Sequence, residues 1–113
     1  MEQSKNRYST MSIVVDTGAS VTTISKDILF RAGYDVMSGM SKRITTASGI
    51  EYVKEITIDR IRLDNYEICD VLVYAHTFPQ ESFASGALGL NVLSLFDVNL
   101  LFSKQLIELK AIR

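Results

Sequence analysis

Val14-Val15-Asp16-Thr17-Gly18-Ala19-Ser20 is the most informative segment of this 113-residue chain. Two β-branched apolar residues give way abruptly to an acid, a hydroxyl and a glycine. The run from Ser12 to Val15 therefore reads as a buried strand that enters a tight loop at Asp16. An acid directly after a buried strand is expected in a poorly solvated position. Thr17 offers a hydroxyl that can fix the loop, and Gly18 lets backbone approach the carboxylate closely. Alone, Asp-Thr-Gly is also an ordinary turn sequence. Its surroundings decide between the two readings.

Val21-Thr22-Thr23-Ile24 is a second β-type run. Ser25 suits a helix N-cap, and Asp27 would lie in the first turn, where the dipole favours an acid. The predicted helix, residues 26–32, stops at Gly33 in a left-handed conformation. Residues 42–46 and 51–59 read as strands around Ala47-Ser48-Gly49-Ile50, whose Ser-Gly centre suits a hairpin. The apolar alternation changes phase between Ile58 and Ile61, which predicts a bend or bulge near Arg60. Asp64-Asn65 marks a turn, and residues 67–75 an apolar strand. Residues 76–85 read as a loop containing Pro79, Phe78 and Phe83. After Gly86-Ala87-Leu88-Gly89, a short helix is expected over residues 90–96. Residues 98–102 and 106–112 form a predicted terminal hairpin turned at Ser103-Lys104. About eight or nine short strands with two short helices predict an all-β domain, closed or sandwich-like.

Composition narrows the chemistry. Twelve Lys+Arg against thirteen Asp+Glu give a net charge of −1, without the basic excess that gripping nucleic acid requires. Apolar residues at 47% and charged residues at 22% are globular values, and the length suits one domain over residues 1–113, whole or cut from a longer chain. No apolar run approaches the roughly 20 residues of a membrane span. Residues 1–10 are polar and hold no signal-peptide core, so a cytoplasmic location is the expectation. Cys69 is the single cysteine, which excludes an internal disulfide and a cysteine-based zinc site. His76 is the single histidine, so a His-rich metal site is excluded, and a His-dependent hydrolase would have to use that ring as its base. Carboxylates remain the main route to catalysis.

With these pieces in place, Val-Val-Asp-Thr-Gly-Ala-Ser resembles the active-site signature of the retropepsin-like aspartic proteases, and the C-terminal hairpin after the second helix resembles their cellular and bacterial branch. That signature is two apolar residues followed by Asp-Thr/Ser-Gly-Ala/Ser/Thr. The family carries a second motif downstream, two apolar residues and a glycine ahead of a short helix. Ala87-Leu88-Gly89 with Leu90-Asn91-Val92-Leu93 is similar to it, and the hairpin at 47–50 falls where the family places its flap. The likeness runs from about residue 12 to residue 109. It implies a single-domain acid-protease fold with one or two short helices, a flap hairpin and a terminal β-hairpin.

The resemblance also implies roles. Asp16 would be the catalytic carboxylate, with Thr17 and Gly18 supporting the active loop. Thr17 would make a hydroxyl-to-backbone contact across a dimer. Ala19, Ser48, Gly49, Ile50, Ser85 and Ala87 would bind substrate, and Ala87-Leu88-Gly89 would thread behind the Asp16 loop. The chemistry needs two carboxylates that share one proton, because like charges at close range cannot both ionise. Asp-Thr-Gly occurs once in this chain, so the second Asp16 must come from another copy, and a C2 homodimer places the two on its axis. The implied substrate is an extended polypeptide, apolar around the cleaved bond because Ile50, Ala87 and Leu88 carry no charge. Neither metal nor cofactor is called for. The alternative is a peptide-binding or dimerisation module on the same fold with little or no proteolysis.

The remaining residues take blander readings. Cys69 is expected to be a buried small hydrophobe. His76 is expected at the surface, with no nucleophile beside it. Gly86-x-x-Gly89 lacks the rest of a dinucleotide fingerprint. Arg60 and Arg62, like Lys42 and Arg43, read as solvated strand faces. Phe78 and Phe83 are equally suited to walling a subsite or packing on the core.

Overall fold

Eight strands and two short α-helices occupy residues 9–78 and 84–112, the residues that the computed structural model describes. In chain order they are β1 (Val14–Val15), β2 (Thr22–Ser25), α1 (Lys26–Arg31), β3 (Met40–Thr46), β4 (Gly49–Leu63), β5 (Tyr66–His76), β6 (Gly86–Leu88), α2 (Leu90–Leu93), β7 (Phe96–Leu101) and β8 (Leu106–Ala111). The all-β expectation with short helices holds. The second helix is shorter than the predicted 90–96, because Phe96 is drawn into β7 and buried. Pro79 and Phe83, in the predicted loop, lie outside the described residues. Among the described residues, no helix is long and apolar enough to cross a membrane.

Of the two expected forms, closed or sandwich-like, the closed one does not occur among the described residues. Six strands form one open sheet in the order β1-β6-β2-β5-β4-β3, leaving β1 and β3 as its edges. The β7–β8 hairpin is a separate two-stranded sheet. It packs on the larger one through Phe96, Val98 and Leu109, which join the core of Ile24, Leu29, Val73 and Val92. Tyr66 fastens the two layers. Its ring meets Phe96 edge-on at 4.9 Å, and its hydroxyl donates to the Leu109 carbonyl at 3.3 Å.

The first helix follows its sequence signals closely. Ser25 Oγ accepts from the Ile28 N–H at 3.1 Å, Asp27 lies in the first turn, and Gly33 takes φ 98° just past the end. Ile28 and Leu29 face inward and bury the helix against the sheet. Ser25→Ala removes a buried acceptor from the first turn. It is expected to lower unfolding free energy by about 1 kcal/mol in urea titrations.

The predicted bulge near Arg60 takes another form. β4 and β5 stay in one antiparallel register from Lys54↔Ala75 to Leu63↔Tyr66, so no residue is inserted. Yet Ile58 and Ile61 both face inward, as do Val71 and, in part, Ile68. The phase switches at Asp59 and Asp70. Asp70 adopts φ 55°, and the Asp59 N–H donates to the Tyr34 hydroxyl at 2.7 Å. Burial pushes the pKa of that hydroxyl up. The same switch turns Cys69 outward, where it pairs across the strands with Arg60. The expected buried cysteine is therefore an exposed one.

Candidate active site

The Asp16 loop joins β1 to β2, but these strands are not neighbours. β6 lies between them, parallel to β1 (Val14↔Ala87, Val15↔Leu88) and antiparallel to β2 (Thr23↔Ala87, Ile24↔Gly86). The downstream motif is thus inserted between the two arms of the loop. The Asp16 N–H donates to the Leu88 carbonyl at 3.0 Å, which ties the start of the loop to the end of β6. Inside the loop, Asp16 Oδ1 accepts from the Gly18 N–H at 3.0 Å, and the Asp16 carbonyl accepts from the Ala19 N–H at 3.2 Å. The carboxylate is oriented by its own turn.

The far side of the loop is held by two residues that sequence reasoning missed, Thr22 and Asn91. Thr22 is fully buried, and its hydroxyl donates to Asn91 Oδ1 at 2.8 Å while accepting from the Gly89 N–H at 3.0 Å. Asn91 Oδ1 also accepts from the Thr22 N–H at 2.9 Å, and its amide donates to the Leu72 carbonyl at 2.8 Å. The Leu90 and Asn91 N–H groups donate to the carbonyls of Ala19 and Ser20. These are the free N–H groups of the first turn of α2, satisfied here by the loop itself. A signal was present in the sequence: one amide within Leu90-Asn91-Val92-Leu93, and one hydroxyl heading a β run. Thr22→Val keeps the shape but strands the Gly89 N–H and removes one of the two hydrogen bonds that Asn91 Oδ1 accepts from Thr22. It is expected to lower stability by about 2 kcal/mol, with Thr22→Ser recovering most of the loss in the same denaturation experiment.

The expectation of a poorly solvated Asp16 is corrected for the single chain. Residues 16–18 are exposed, because β1 is a two-residue edge strand and Val14 itself is 43% exposed. Ala19 is half-buried under the Leu90 contact. Ser85 and Ala87 line up beside the loop in and next to β6. Ser85 donates through its N–H to Ser12 and accepts through its carbonyl from Ser25, at 2.7 and 2.8 Å. Ser48, Gly49 and Ile50 are exposed at the tip of the β3–β4 hairpin, which turns through Ala47-Ser48 with Thr46 opposite Gly49. Gly49 takes φ 124°, and the Thr46 hydroxyl closes the turn by donating to the Gly49 carbonyl at 3.1 Å. Among the described residues, no hydrogen bond joins this turn to the Asp16 loop. The fold therefore gathers Asp16, Thr17, Gly18, Ala19, Ser85 and Ala87 about β6 and carries Ser48, Gly49 and Ile50 on a separate arm. His76 is half-exposed and pairs with Glu51, and Phe78 meets its ring edge-on at 6.1 Å.

The family model described as "gag-polyprotein putative aspartyl protease" matches residues 3–95, a span that includes the Asp16 loop, the hairpin and the Gly89–Leu93 segment. The chain therefore belongs to this retropepsin-like aspartyl protease family. Its fold is similar to the crystal structure of a retropepsin-like aspartic protease from Rickettsia conorii. The TM-score is 0.65 at 24% identity, over 84% of this chain and 69% of that one. No curated protein matches the chain.

Proposed function

We propose that this chain is an aspartic endopeptidase that works as a C2 homodimer through paired Asp16 side chains. The observation that carries the reading is an exposed carboxylate on a loop whose main chain is pinned by an inserted strand. The two carboxylates share one proton, because like charges at close range cannot both ionise. One carboxylate takes a proton from water as the oxygen attacks the peptide carbonyl carbon. The other gives its proton to the carbonyl oxygen. Collapse of the tetrahedral intermediate then breaks the C–N bond, and a proton passes to the leaving amine. Thr17 and Gly18 hold the loop, with Thr17 reaching the second copy. Ala19, Ser85 and Ala87 form the floor, and Ser48, Gly49 and Ile50 close over a polypeptide bound as an extended strand.

Pairing is supported by apolar surface on the terminal hairpin. Leu100 and Ile107 face each other across β7 and β8 at 50% and 47% exposure. Such a patch favours contact with another chain. The test is cleavage of a diverse peptide library, read by mass spectrometry from mildly acidic to neutral pH, with sedimentation of the same sample. Cleavage by a dimer, mostly between apolar residues, is the expected result. A dimer that binds peptides without cutting them would assign the chain to the binding-module alternative.

A further inference from the structure

Away from the Asp16 loop, polar side chains converge at the root of the β3–β4 hairpin. His76 ends β5, and its Nε2 lies 2.8 Å from Oε1 of Glu51 in β4. Its Nδ1 lies 2.9 Å from the Thr77 carbonyl oxygen. The second carboxylate oxygen of Glu51 is 3.5 Å from the Thr46 hydroxyl, which also closes the hairpin turn. A line of contacts thus runs from the turn through Thr46 and Glu51 to the neighbouring strand.

Counting protons shows what this line requires. Both ring nitrogens face oxygen acceptors, and a neutral imidazole has only one N–H. The pair must hold one proton more than a neutral ring and a free carboxylate hold together. Without it, a nitrogen lone pair faces an oxygen at under 3 Å. Among the described residues, the charged groups on the neighbouring strands are placed as follows: on β3, Lys42 and Arg43 stand opposite Val53 and Tyr52 and are exposed. On β4, the Lys54 ammonium donates to Ser41 Oγ at 3.1 Å. On β2, the residue in register with His76 is Ser25, and the charged residues that follow it, Lys26 and Asp27, are exposed. His76 and Glu51 are each over a third exposed, so solvent exchanges the proton freely.

We infer that Glu51 and His76 form a proton-dependent clasp that positions the hairpin arm, an inference that rests on reading residues 47–50 as the flap. With the extra proton the arm is fastened to β5. Loss of that proton at higher pH opens the clasp and frees the tip, a change to be followed between about pH 5 and 8. Both are positioning residues, acting on substrate capture through the arm.

The variants follow from the donor count. Glu51→Gln places an amide donor against Nε2 while Nδ1–H still serves Thr77, so both contacts form without the extra proton. Glu51→Ala and His76→Phe remove the clasp at every pH. The readouts are amide hydrogen exchange of residues 47–51 in the ligand-free protein, corrected for intrinsic rates, and KM and kcat for a cleaved peptide over the same pH range. In the unmodified chain, protection is expected to fall about two- to fivefold as pH rises, the scale of an exposed ion pair. KM should rise in parallel, taken at each pH as the ratio to Glu51→Gln so that the pH dependence of the paired Asp16 carboxylates cancels. Glu51→Gln should stay protected throughout, and Glu51→Ala and His76→Phe unprotected throughout. A pair that only stabilised the fold would shift melting without flattening the pH profile. Full protection in Glu51→Ala, or unaltered pH dependence in Glu51→Gln, overturns the clasp. If no peptide is cut, the exchange data still decide the clasp while the protease reading falls. If cleavage is normal and exchange ignores Glu51, the clasp falls alone.

Discussion

Asp16→Asn is expected to reduce peptide hydrolysis by about 10³-fold or more while leaving the fold intact. The substitution is nearly isosteric, and an asparagine side-chain oxygen still accepts from the Gly18 N–H now bonded to Asp16 Oδ1 at 3.0 Å. Loop geometry and melting temperature should therefore hardly change. What is lost is the proton that must pass to and from the reacting atoms. A mixing experiment makes the result more specific. If one site is built from two Asp16 side chains, a mixture of equal parts unmodified and Asp16→Asn chains, allowed to exchange subunits, forms about one quarter fully unmodified dimers. Its activity should fall to that fraction. Activity that fell only by half would mean that each chain works alone, and the paired mechanism would be wrong.

Gly89→Ala is expected to be the most destabilising single methyl in the domain. A Cβ at Gly89 would lie 2.6 Å from the Val21 carbonyl carbon, 2.7 Å from its oxygen and 2.9 Å from the Ala19 oxygen. All three are main-chain atoms, and they belong to the loop that Gly89 helps to hold. Relief requires moving the loop off β6 and breaking the Gly89-to-Thr22 hydrogen bond. A loss of about 3 kcal/mol follows, which lowers the thermal midpoint by about 15 °C for a domain of this size. Gly18→Ala is the control. Its Cβ would meet only Asp16 Oδ1, at 3.3 Å, so calorimetry should find its midpoint within about 3 °C of the unmodified chain.

The two motifs and the elements beside them were legible in the sequence because their signals are local. Ser25, Asp27 and Gly33 mark α1 residue by residue, and the Ser-Gly centre with β-branched flanks marks the hairpin. What was not legible depends on partners distant in the chain. The insertion of β6 between β1 and β2 leaves no periodic trace in three residues. Thr22 and Asn91 look ordinary until they meet, and the outward turn of Cys69 depends on Asp70 taking a left-handed conformation in the middle of an otherwise regular ladder. The exposure of Asp16 could not be read from an apolar strand, since apolar residues also line a surface that another chain covers.

The inserted strand has a consequence for the order of folding. The β3–β4 hairpin closes across a two-residue turn and can form on the microsecond scale. The Asp16 loop depends on contacts between residues 67 and 69 positions apart, Gly89 with Thr22 and Asn91 with Thr22. Closing so long a loop is entropically slow, and it waits for the far segment to exist. During synthesis, the acid emerges early but remains on an unshaped loop until residues 86–91 arrive and dock beneath it. The 47–50 hairpin can therefore be complete before the β6 segment that shapes the Asp16 loop, and a nascent chain carries that carboxylate on an unformed loop until residue 91 has been made.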